Sequence, residues 1–188
     1  LRNRISFGYL FNSKFNSFEE IEADLKEVLD LYEQEQTSPG VKLTFNNYFR
    51  KENYKENIFY NGNSSFFLEP MEATSIATID NINRTVFDIT HGNIKSDMAN
   101  QVYLNWFKQV QEVITLHYFA DSKYDTEFWK NAKRLSTDCM KHFSEIGNIM
   151  HDAYRGYDFG EYGTWWHKSF KQNIDGLGVK EKLLNIRK

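Results

Sequence analysis

The 188-residue sequence predicts an α+β fold that is predominantly helical. Four stretches carry apolar residues every three or four positions, which is the spacing of an amphipathic helix. Three short segments in the first third of the chain are typical of strands. No linker rich in proline, serine or glycine divides the chain, and its length suffices for one sizeable core. We therefore expect residues 1–188 to form a single unit.

The N-terminal part combines extended segments with the first helix. Residues 4–11 are predicted to be extended. Ser17 and Glu20 form a Ser-x-x-Glu capping box, which marks the start of a helix. The side chains expected to form the buried face of this helix are Phe18, Ile21, Leu25, Val28, Leu29 and Tyr32. Residues 41–49 alternate weakly in polarity, and residues 58–60 form a short apolar run, so both are predicted to be strands.

A second helix is predicted to begin at Pro70. Proline lacks an amide hydrogen and has a preset φ, so it suits the first turn of a helix, where amide donors are unpaired anyway. The helix is expected to run to about Thr90, before residues 91–93 (His-Gly-Asn) end it. The apolar stripe expected to pack on the core comprises Ile76, Ile79, Ile82, Val86 and Ile89.

Two more helices are predicted in the second half of the chain. Apolar residues recur at helical spacing between Val102 and His117, and a further helix is predicted from Asp125 to about Met150. From residue 151 onward glycine and aromatic residues are frequent, so this part is predicted to be dominated by loops. Cys139 lies in no recognisable nucleophile context and is predicted to be a small buried residue.

Composition narrows the class of protein. The net charge is −3 and the basic residues are spread along the chain, which disfavours a nucleic-acid-binding domain. A single cysteine allows no internal disulfide, which is consistent with a reducing, cytoplasmic location. No apolar run approaches membrane-spanning length, so no membrane association is predicted. The five histidines lack the spacing of metal ligands, and no metal is assigned.

The segment from residue 62 to residue 75 concentrates the residues that could carry chemistry. It contains a glycine, small residues, a proline and the carboxylates of Glu69 and Glu72. No lysine or arginine occurs between residues 57 and 83, so a buried carboxylate here needs another partner or a shifted pKa. Free backbone amides at residues 73–75, in the first turn of the predicted helix, would suit a bare anion such as chloride or bromide.

The same segment resembles a known family. Residues 67–75 read Phe-Leu-Glu-Pro-Met-Glu-Ala-Thr-Ser, similar to the Phe-Leu-Glu-Pro-Leu-Glu-Ser-Thr motif, followed by Gly or Ser, of flavin-dependent halogenases, the tryptophan halogenase family. Residues 4–13 resemble the family's Arg-x-Gly-x-Gly-Tyr strand, and residues 116–129 resemble its Leu-His-Tyr segment with a following Phe-Trp. The three matches occur in the family's order.

The resemblance implies that this chain is the C-terminal part of a flavin-monooxygenase-like halogenase with an FAD-binding α/β fold. Residues 1–62 would supply strands and one helix, residues 63–90 the flavin and halide junction with its helix, and residues 91–188 a helical substrate-side region. No Gly-x-Gly-x-x-Gly motif follows a strand here. The nucleotide-binding motif and the family's catalytic lysine are therefore expected upstream in the same polypeptide.

The resemblance also assigns roles to individual residues. Glu72 matches the family's catalytic glutamate, and Thr74 and Ser75 match the positions whose backbone amides bind the halide. The residues that align with the region close to the flavin are Gly62, Asn63 and Pro70. An aromatic concentration near the C-terminus contains the candidates for stacking on a flat substrate, with core packing as the alternative, and these are Tyr162, Trp165 and Trp166.

The implied function is FAD-dependent halogenation of an electron-rich aromatic, either an indole such as tryptophan or a phenol, through a flavin hydroperoxide and hypohalous acid. The implied partners are a flavin reductase that supplies reduced FAD, a halide as co-substrate and a small aromatic substrate; a homo-oligomer is left open. Two alternatives remain. One is a flavin-dependent monooxygenase of similar architecture that hydroxylates without halide. The other is a degenerate relative that acts as a non-catalytic interaction domain.

Overall fold

The computed structural model describes residues 6–36, 40–69, 71, 73–142 and 167–186. Its helices and strands, in chain order, are α1 (Phe18–Leu31), β1 (Tyr48–Phe49), β2 (Tyr54–Lys55), β3 (Ile58–Phe59), β4 (Phe66–Phe67), α2 (Thr74–Thr90), α3 (Ala99–Phe119), α4 (Glu127–His142), α5 (His167–Gly176) and α6 (Lys180–Ile186). The prediction of a predominantly helical fold is confirmed for this part of the chain.

Helix α1 begins as its sequence predicts. The Ser17 hydroxyl accepts a hydrogen bond from the Glu20 amide at 3.2 Å, and the Glu20 carboxylate accepts one from the Ser17 amide at 2.8 Å. Ile21 and Leu29 are buried. The predicted burial of Tyr32 is wrong, since its side chain is 63% exposed. The helix ends at Leu31, and the chain turns one residue beyond Tyr32, where Glu33 has a φ of +53°.

The strands form two small antiparallel pairs. β1 pairs with β4, placing Tyr48 opposite Phe67, and β2 pairs with β3. The predicted strand over residues 41–49 is wrong except for its last two residues. Val41 and Leu43 are 82% and 80% exposed, because in the described part of the chain no strand lies beside them to pair their backbone and cover their side chains.

The main apolar cluster lies between β4, α2 and the first half of α3. Its buried members are Phe66, Leu68, Ile82, Tyr103, Trp106, Phe107 and Val110. Phe49 of β1 stacks on Phe107, with ring centroids 4.8 Å apart and an interplanar angle of 12°. The cluster therefore joins the β1–β4 pair to helices α2 and α3.

A second apolar cluster lies between the end of α3 and the three C-terminal helices. It comprises Leu116, Phe119, Met140, Ile174, Val179 and Leu183. The loop predicted after residue 151 is therefore wrong for residues 167–186. Gly176 ends α5 and Gly178 takes a φ of +63°, which lets the Val179 amide reach the Ile174 carbonyl at 3.2 Å and close the helix.

The predicted burial of Cys139 is also wrong. Ser136 and Met140 occupy the inner face of α4, one helical turn apart. Cys139 precedes Met140 and lies outside that face, where it is exposed. Helix α4 begins at Glu127, close to the predicted start, and residues 143–150 of the predicted helix lie outside the described residues.

Helix α2 departs from prediction at its start and in its orientation. It begins at Thr74 rather than Pro70, and it ends at Thr90 as predicted. Its inward face is mostly polar and comprises Thr74, Thr78, Asn81, Ile82, Thr85 and Asp88. Of the predicted stripe only Ile82 is fully buried, and Ile76 and Ile79 are 72% and 38% exposed.

Specific hydrogen bonds explain this orientation. The Thr78 hydroxyl donates to the Thr74 carbonyl at 2.7 Å and accepts from the indole N–H of Trp106 at 3.0 Å. The Thr85 hydroxyl donates to the Asn81 carbonyl at 2.9 Å. Because the Thr78 and Thr85 hydroxyls are satisfied within the core, α2 can bury these two threonines against α3 without leaving their polar atoms unpaired.

Asn100, in the first turn of α3, holds the β2–β3 hairpin. Its side-chain oxygen accepts from the amides of Asn53 and Tyr54, both at 2.8 Å, and its amide nitrogen donates to the Tyr54 carbonyl at 2.9 Å. Asn53 is buried in turn and accepts a hydrogen bond from the Ser65 hydroxyl at 2.7 Å. This polar network links the hairpin, α3 and the start of β4.

We expect Asn100→Ala to lower the free energy of unfolding by about 2–3 kcal/mol, because it removes three hydrogen bonds and leaves backbone groups of the hairpin unsatisfied. Chemical denaturation of the purified protein measures this. The matched control is Gln101→Ala, at an exposed neighbouring position, for which a change within about 0.5 kcal/mol is expected. Equal stability of the two variants would contradict the role of Asn100.

None of the helices in the described part of the chain combines the length and the apolarity needed to cross a membrane.

Candidate functional site

The candidate site starts just after strand β4 with the buried carboxylate of Glu69. Phe66 and Leu68 are buried in the main cluster and fix the strand. Glu69 follows directly and is only 8% exposed. Its carboxylate accepts a hydrogen bond from the hydroxyl of Tyr118, on α3, at 2.8 Å. The expectation that a carboxylate buried here would need a partner is confirmed for Glu69.

The electrostatics of this pair follow from its burial. Loss of water raises the pKa of Glu69, while the Tyr118 hydrogen bond and the charge of His117 act in the opposite direction. Burial and the adjacent Glu69 carboxylate raise the pKa of Tyr118. The Tyr118 hydroxyl therefore keeps its proton at neutral pH and acts as the donor to Glu69.

A chain of backbone hydrogen bonds leads from Glu69 to the first residue of α2. The Met71 amide donates to the Glu69 carbonyl at 2.8 Å, and the Thr74 amide donates to the Met71 carbonyl at 3.0 Å. Ala73, the N-cap residue, has a φ of +53° and provides no side-chain cap. A left-handed alanine costs about 1–2 kcal/mol, so its surroundings must hold it there.

Thr74 occupies the N-terminus of α2 and is fully buried. The prediction of a free amide at Thr74 is wrong, since that amide donates to Met71. Its side-chain hydroxyl, however, is buried and makes no hydrogen bond to any of the residues that the structure describes. The first turn of α2 contains no acidic residue, and the helix dipole presents its positive end here. Thr74 therefore offers an unused hydroxyl donor where an anion would be stabilised, with Ser75 half-buried beside it.

Gly62 and Asn63 lie in a single 3₁₀ turn that spans Gly62–Ser64. Gly62 has a φ of +55°, and apart from its two chain neighbours no atom of the described residues lies within 4 Å of the position that a Cβ would take. The side of Gly62 is therefore open to close approach by a ligand. Asn63 is exposed, and its carbonyl accepts a hydrogen bond from the Tyr48 hydroxyl.

The turn is attached to α2 by the residue that precedes it. The Asn61 side chain donates to the side-chain oxygen of Asn83 at 2.9 Å and caps the Gly62 amide at 2.7 Å. The structure thus connects the region predicted to approach the flavin with the helix predicted to bind the halide.

Five of the predicted site residues lie outside the described residues. These are Pro70, Glu72, Tyr162, Trp165 and Trp166. Their roles stay predictions. Among the residues that the structure describes, no three histidine, cysteine, aspartate or glutamate side chains are grouped as a metal site requires.

Sequence reasoning missed two residues that organise the site. The Asn61-Gly62 dipeptide is a turn signal, and this signal could have drawn attention to Asn61. Tyr118 lies 49 positions from Glu69. Neither periodicity nor spacing indicates such a contact, which depends on how α3 packs against β4.

Comparison of the sequence with known protein families identifies the family of this chain. The family described as tryptophan halogenase matches residues 1–181, nearly the whole sequence. The chain belongs to the tryptophan halogenase family. This confirms the resemblance seen in residues 4–13, 67–75 and 116–129.

Individual relatives within the family are distant. Tryptophan 6-halogenase SttH of Streptomyces toxytricini is 28% identical over 137 residues, which are 71% of this chain and 26% of that protein. Tryptophan 7-halogenase KtzQ of Kutzneria sp. (strain 744) is 26% identical over 139 residues, 72% of this chain and 26% of that protein. 7-Chloro-L-tryptophan 6-halogenase KtzR of the same strain is 27% identical over 137 residues. The chain spans about a quarter of the length of these relatives.

We expect Glu69→Gln to flatten the pH dependence of stability. With the native pKa of Glu69 raised above its ordinary value of 4.5, the folded state holds the proton more tightly than the unfolded state does. Stability contributed by this group is therefore present at low pH and falls as pH rises from 4.5 through the native pKa. Glutamine does not titrate, so the stability of the variant relative to wild type should increase over that interval.

Thermal unfolding between pH 4.5 and pH 7 measures this difference. Glu52→Gln, at an exposed position, is the matched control and should follow the wild-type curve. A Glu69→Gln curve parallel to that of wild type would show that Glu69 titrates alike in both states.

Proposed function

We propose that this chain is the halide-binding and carboxylate-bearing part of an FAD-dependent halogenase, and that the complete enzyme halogenates an electron-rich aromatic compound such as an indole or a phenol. The observation that carries the proposal is the family match over residues 1–181, which includes the Phe-Leu-Glu-Pro-Met-Glu-Ala-Thr-Ser segment. The names of the similar proteins, all tryptophan halogenases, favour a tryptophan-like substrate.

Reduced FAD, when bound, would activate molecular oxygen, and this chemistry would oxidise the halide to hypohalous acid. The residues proposed to face the cofactor are Gly62, Asn63 and Pro70. The open side of Gly62 and the exposed side chain of Asn63 fit this role, because a backbone without a Cβ can approach a flat ring and an amide can bond a hydroxyl. A flavin reductase is the proposed source of the reduced cofactor.

Thr74 and Ser75 are proposed to bind the halide. The buried, unused Thr74 hydroxyl and the positive end of α2 support this assignment. Binding through the Thr74 amide requires that amide to leave the Met71 carbonyl. The hydroxyl can donate to the ion without any such exchange. A halide held by uncharged donors keeps its reactivity towards an oxidant.

Glu72 is proposed as the catalytic carboxylate. Attack of the aromatic ring on hypohalous acid forms the carbon–halogen bond, breaks the oxygen–halogen bond and releases water after protonation of the oxygen. The ring is left as a cation that must lose one proton. A carboxylate at residue 72 would accept that proton as a general base. Flat aromatic substrates stack well on aromatic side chains, and those proposed for this role are Tyr162, Trp165 and Trp166.

The test uses the full-length polypeptide with FAD, a flavin reductase, NADH and either chloride or bromide. Mass spectrometry of tryptophan, other indoles and phenols should detect a product whose halogen follows the salt supplied. A hydroxylated product formed equally without halide would indicate a monooxygenase instead. A complete protein that lacks the glycine-rich FAD motif and the lysine would support the non-catalytic alternative.

We expect Glu72→Gln in the full-length protein to reduce the halogenation rate by about 100-fold or more, since the substitution keeps the shape of the side chain and removes the base. FAD binding, followed by absorbance, should be unchanged. Glu52→Gln is the matched surface control and should retain wild-type turnover. Unchanged halogenation by Glu72→Gln would remove Glu72 from the mechanism.

A further inference from the structure

We propose that the Glu69–Tyr118 hydrogen bond is a positioning contact that sets the positions of Met71, Ala73 and Thr74, and thereby the affinity for halide. The predicted effect on the KM for halide rests on the proposed function. The predicted effect of the hydrogen bond on the residues before α2 depends only on contacts within this chain. Neither side chain is proposed to touch the reacting atoms.

Tyr118 is itself rigidly held. Its ring packs against Phe128, with centroids 6.3 Å apart in an edge-on arrangement, and against Trp129 at 6.0 Å, both on α4. Leu116 and Phe119, its neighbours on α3, are buried in the second cluster. The hydroxyl of Tyr118 is therefore a donor fixed by two helices.

Glu69 accepts its hydrogen bond from that donor, and the charge of His117 acts on it as well. Its side chain is 8% exposed, and no lysine or arginine occurs between residues 57 and 83 that could pair with it locally. A buried carboxylate that loses its hydrogen-bond donor must reach water or another partner. Removing the Tyr118 hydroxyl should therefore shift Glu69 rather than leave it in place.

A shift of Glu69 would be transmitted to α2 through short bonds. The Glu69 carbonyl accepts from Met71, and the Met71 carbonyl accepts from Thr74. The left-handed Ala73 lies within the same turn and tolerates little displacement. The buried Thr74 hydroxyl, proposed to donate to the halide, would move with this turn. Small displacements of a preorganised donor weaken binding markedly.

A second tyrosine on α3 provides a matched control. The Tyr103 hydroxyl lies 2.9 Å from the Ser65 hydroxyl and donates to the Ser65 carbonyl at 3.2 Å. Like Tyr118, it joins α3 to the residues around β4, and it is buried. Its partner lies before β4 rather than next to α2. Tyr103→Phe should therefore lower stability without altering the site.

The experiment measures the apparent KM for bromide of the full-length, FAD-loaded protein and four variants. Tyr118→Phe should raise this KM about tenfold, which corresponds to the loss of one hydrogen bond of about 1.4 kcal/mol. Glu69→Gln should stay near wild type, because a glutamine oxygen still accepts from Tyr118. Tyr103→Phe should keep the wild-type KM.

The double variant Tyr118→Phe with Glu69→Met separates positioning from stability. Replacing both partners by apolar groups of similar shape leaves no unpaired buried charge, so its thermal unfolding should be close to that of wild type. Its KM for bromide should nevertheless stay raised about tenfold, because the contact is absent. A double variant with the wild-type KM would overturn the proposal and leave the pair a structural role alone.

Amide hydrogen exchange provides a readout that is independent of halogenation. In the full-length protein without halide or substrate, peptides covering residues 71–76 should exchange faster in Tyr118→Phe and in the double variant, and at the wild-type rate in Tyr103→Phe. If the wild-type protein does not halogenate, the proposed function fails while this measurement still tests the contact. Unchanged exchange in Tyr118→Phe, or an equal increase in Tyr103→Phe, would refute the inference.

Discussion

The packing of α3 is the constraint on which the rest of the described structure depends. Its first half carries Trp106 and Phe107 into the main cluster with β4 and α2, and its second half carries Leu116 and Phe119 into the cluster with the three C-terminal helices. Both clusters share this one rigid element. Because apolar burial is the dominant favourable term in folding, fixing α3 fixes what packs against each half.

Polar side chains of α3 then fix the positions of the hairpin and of the residues around β4. Asn100 holds the hairpin backbone, Tyr103 reaches the residue before β4, and Tyr118 reaches the residue after Leu68. Apolar packing alone tolerates small slips of a short strand, whereas a buried hydrogen bond is lost when its partners move. These three polar side chains of α3 thus fix the hairpin and the residues on either side of the two-residue strand β4.

The sequence supported those features of the fold that are encoded locally. The capping box of α1 and the end of α2 at Thr90 needed only neighbouring residues, and both are confirmed. The start of α2 depended on the left-handed conformation of Ala73, and the preference of proline for the first turn of a helix does not reveal this conformation. Its orientation depended on Trp106, whose indole bonds Thr78 and draws a polar face inward. Periodicity in the sequence gives the spacing of the apolar residues of a helix, but the element that packs against the helix, here α3, decides which of its faces is buried.

The same distinction applies elsewhere in the chain. Alternating polarity over residues 41–49 was not sufficient for a strand, because a strand also needs a neighbour to pair with. The frequent glycine and aromatic residues after residue 151 indicated a loop, although Gly176 and Gly178 form the tight turn between two helices that bury Ile174 and Leu183.

In the site, the sequence predicted that a carboxylate buried in residues 62–75 would need a partner or a shifted pKa. The identity of its partner required the tertiary structure, since Tyr118 lies 49 residues away in sequence.

The exposure of Cys139 has a practical consequence. It is the one thiol in this chain, and it lies on the solvent side of α4 immediately before the buried Met140. A maleimide dye or nitroxide attached to it would report on the α3–α4 contact from outside the core, with no cysteine introduced into this chain and no alteration of the packed side chains.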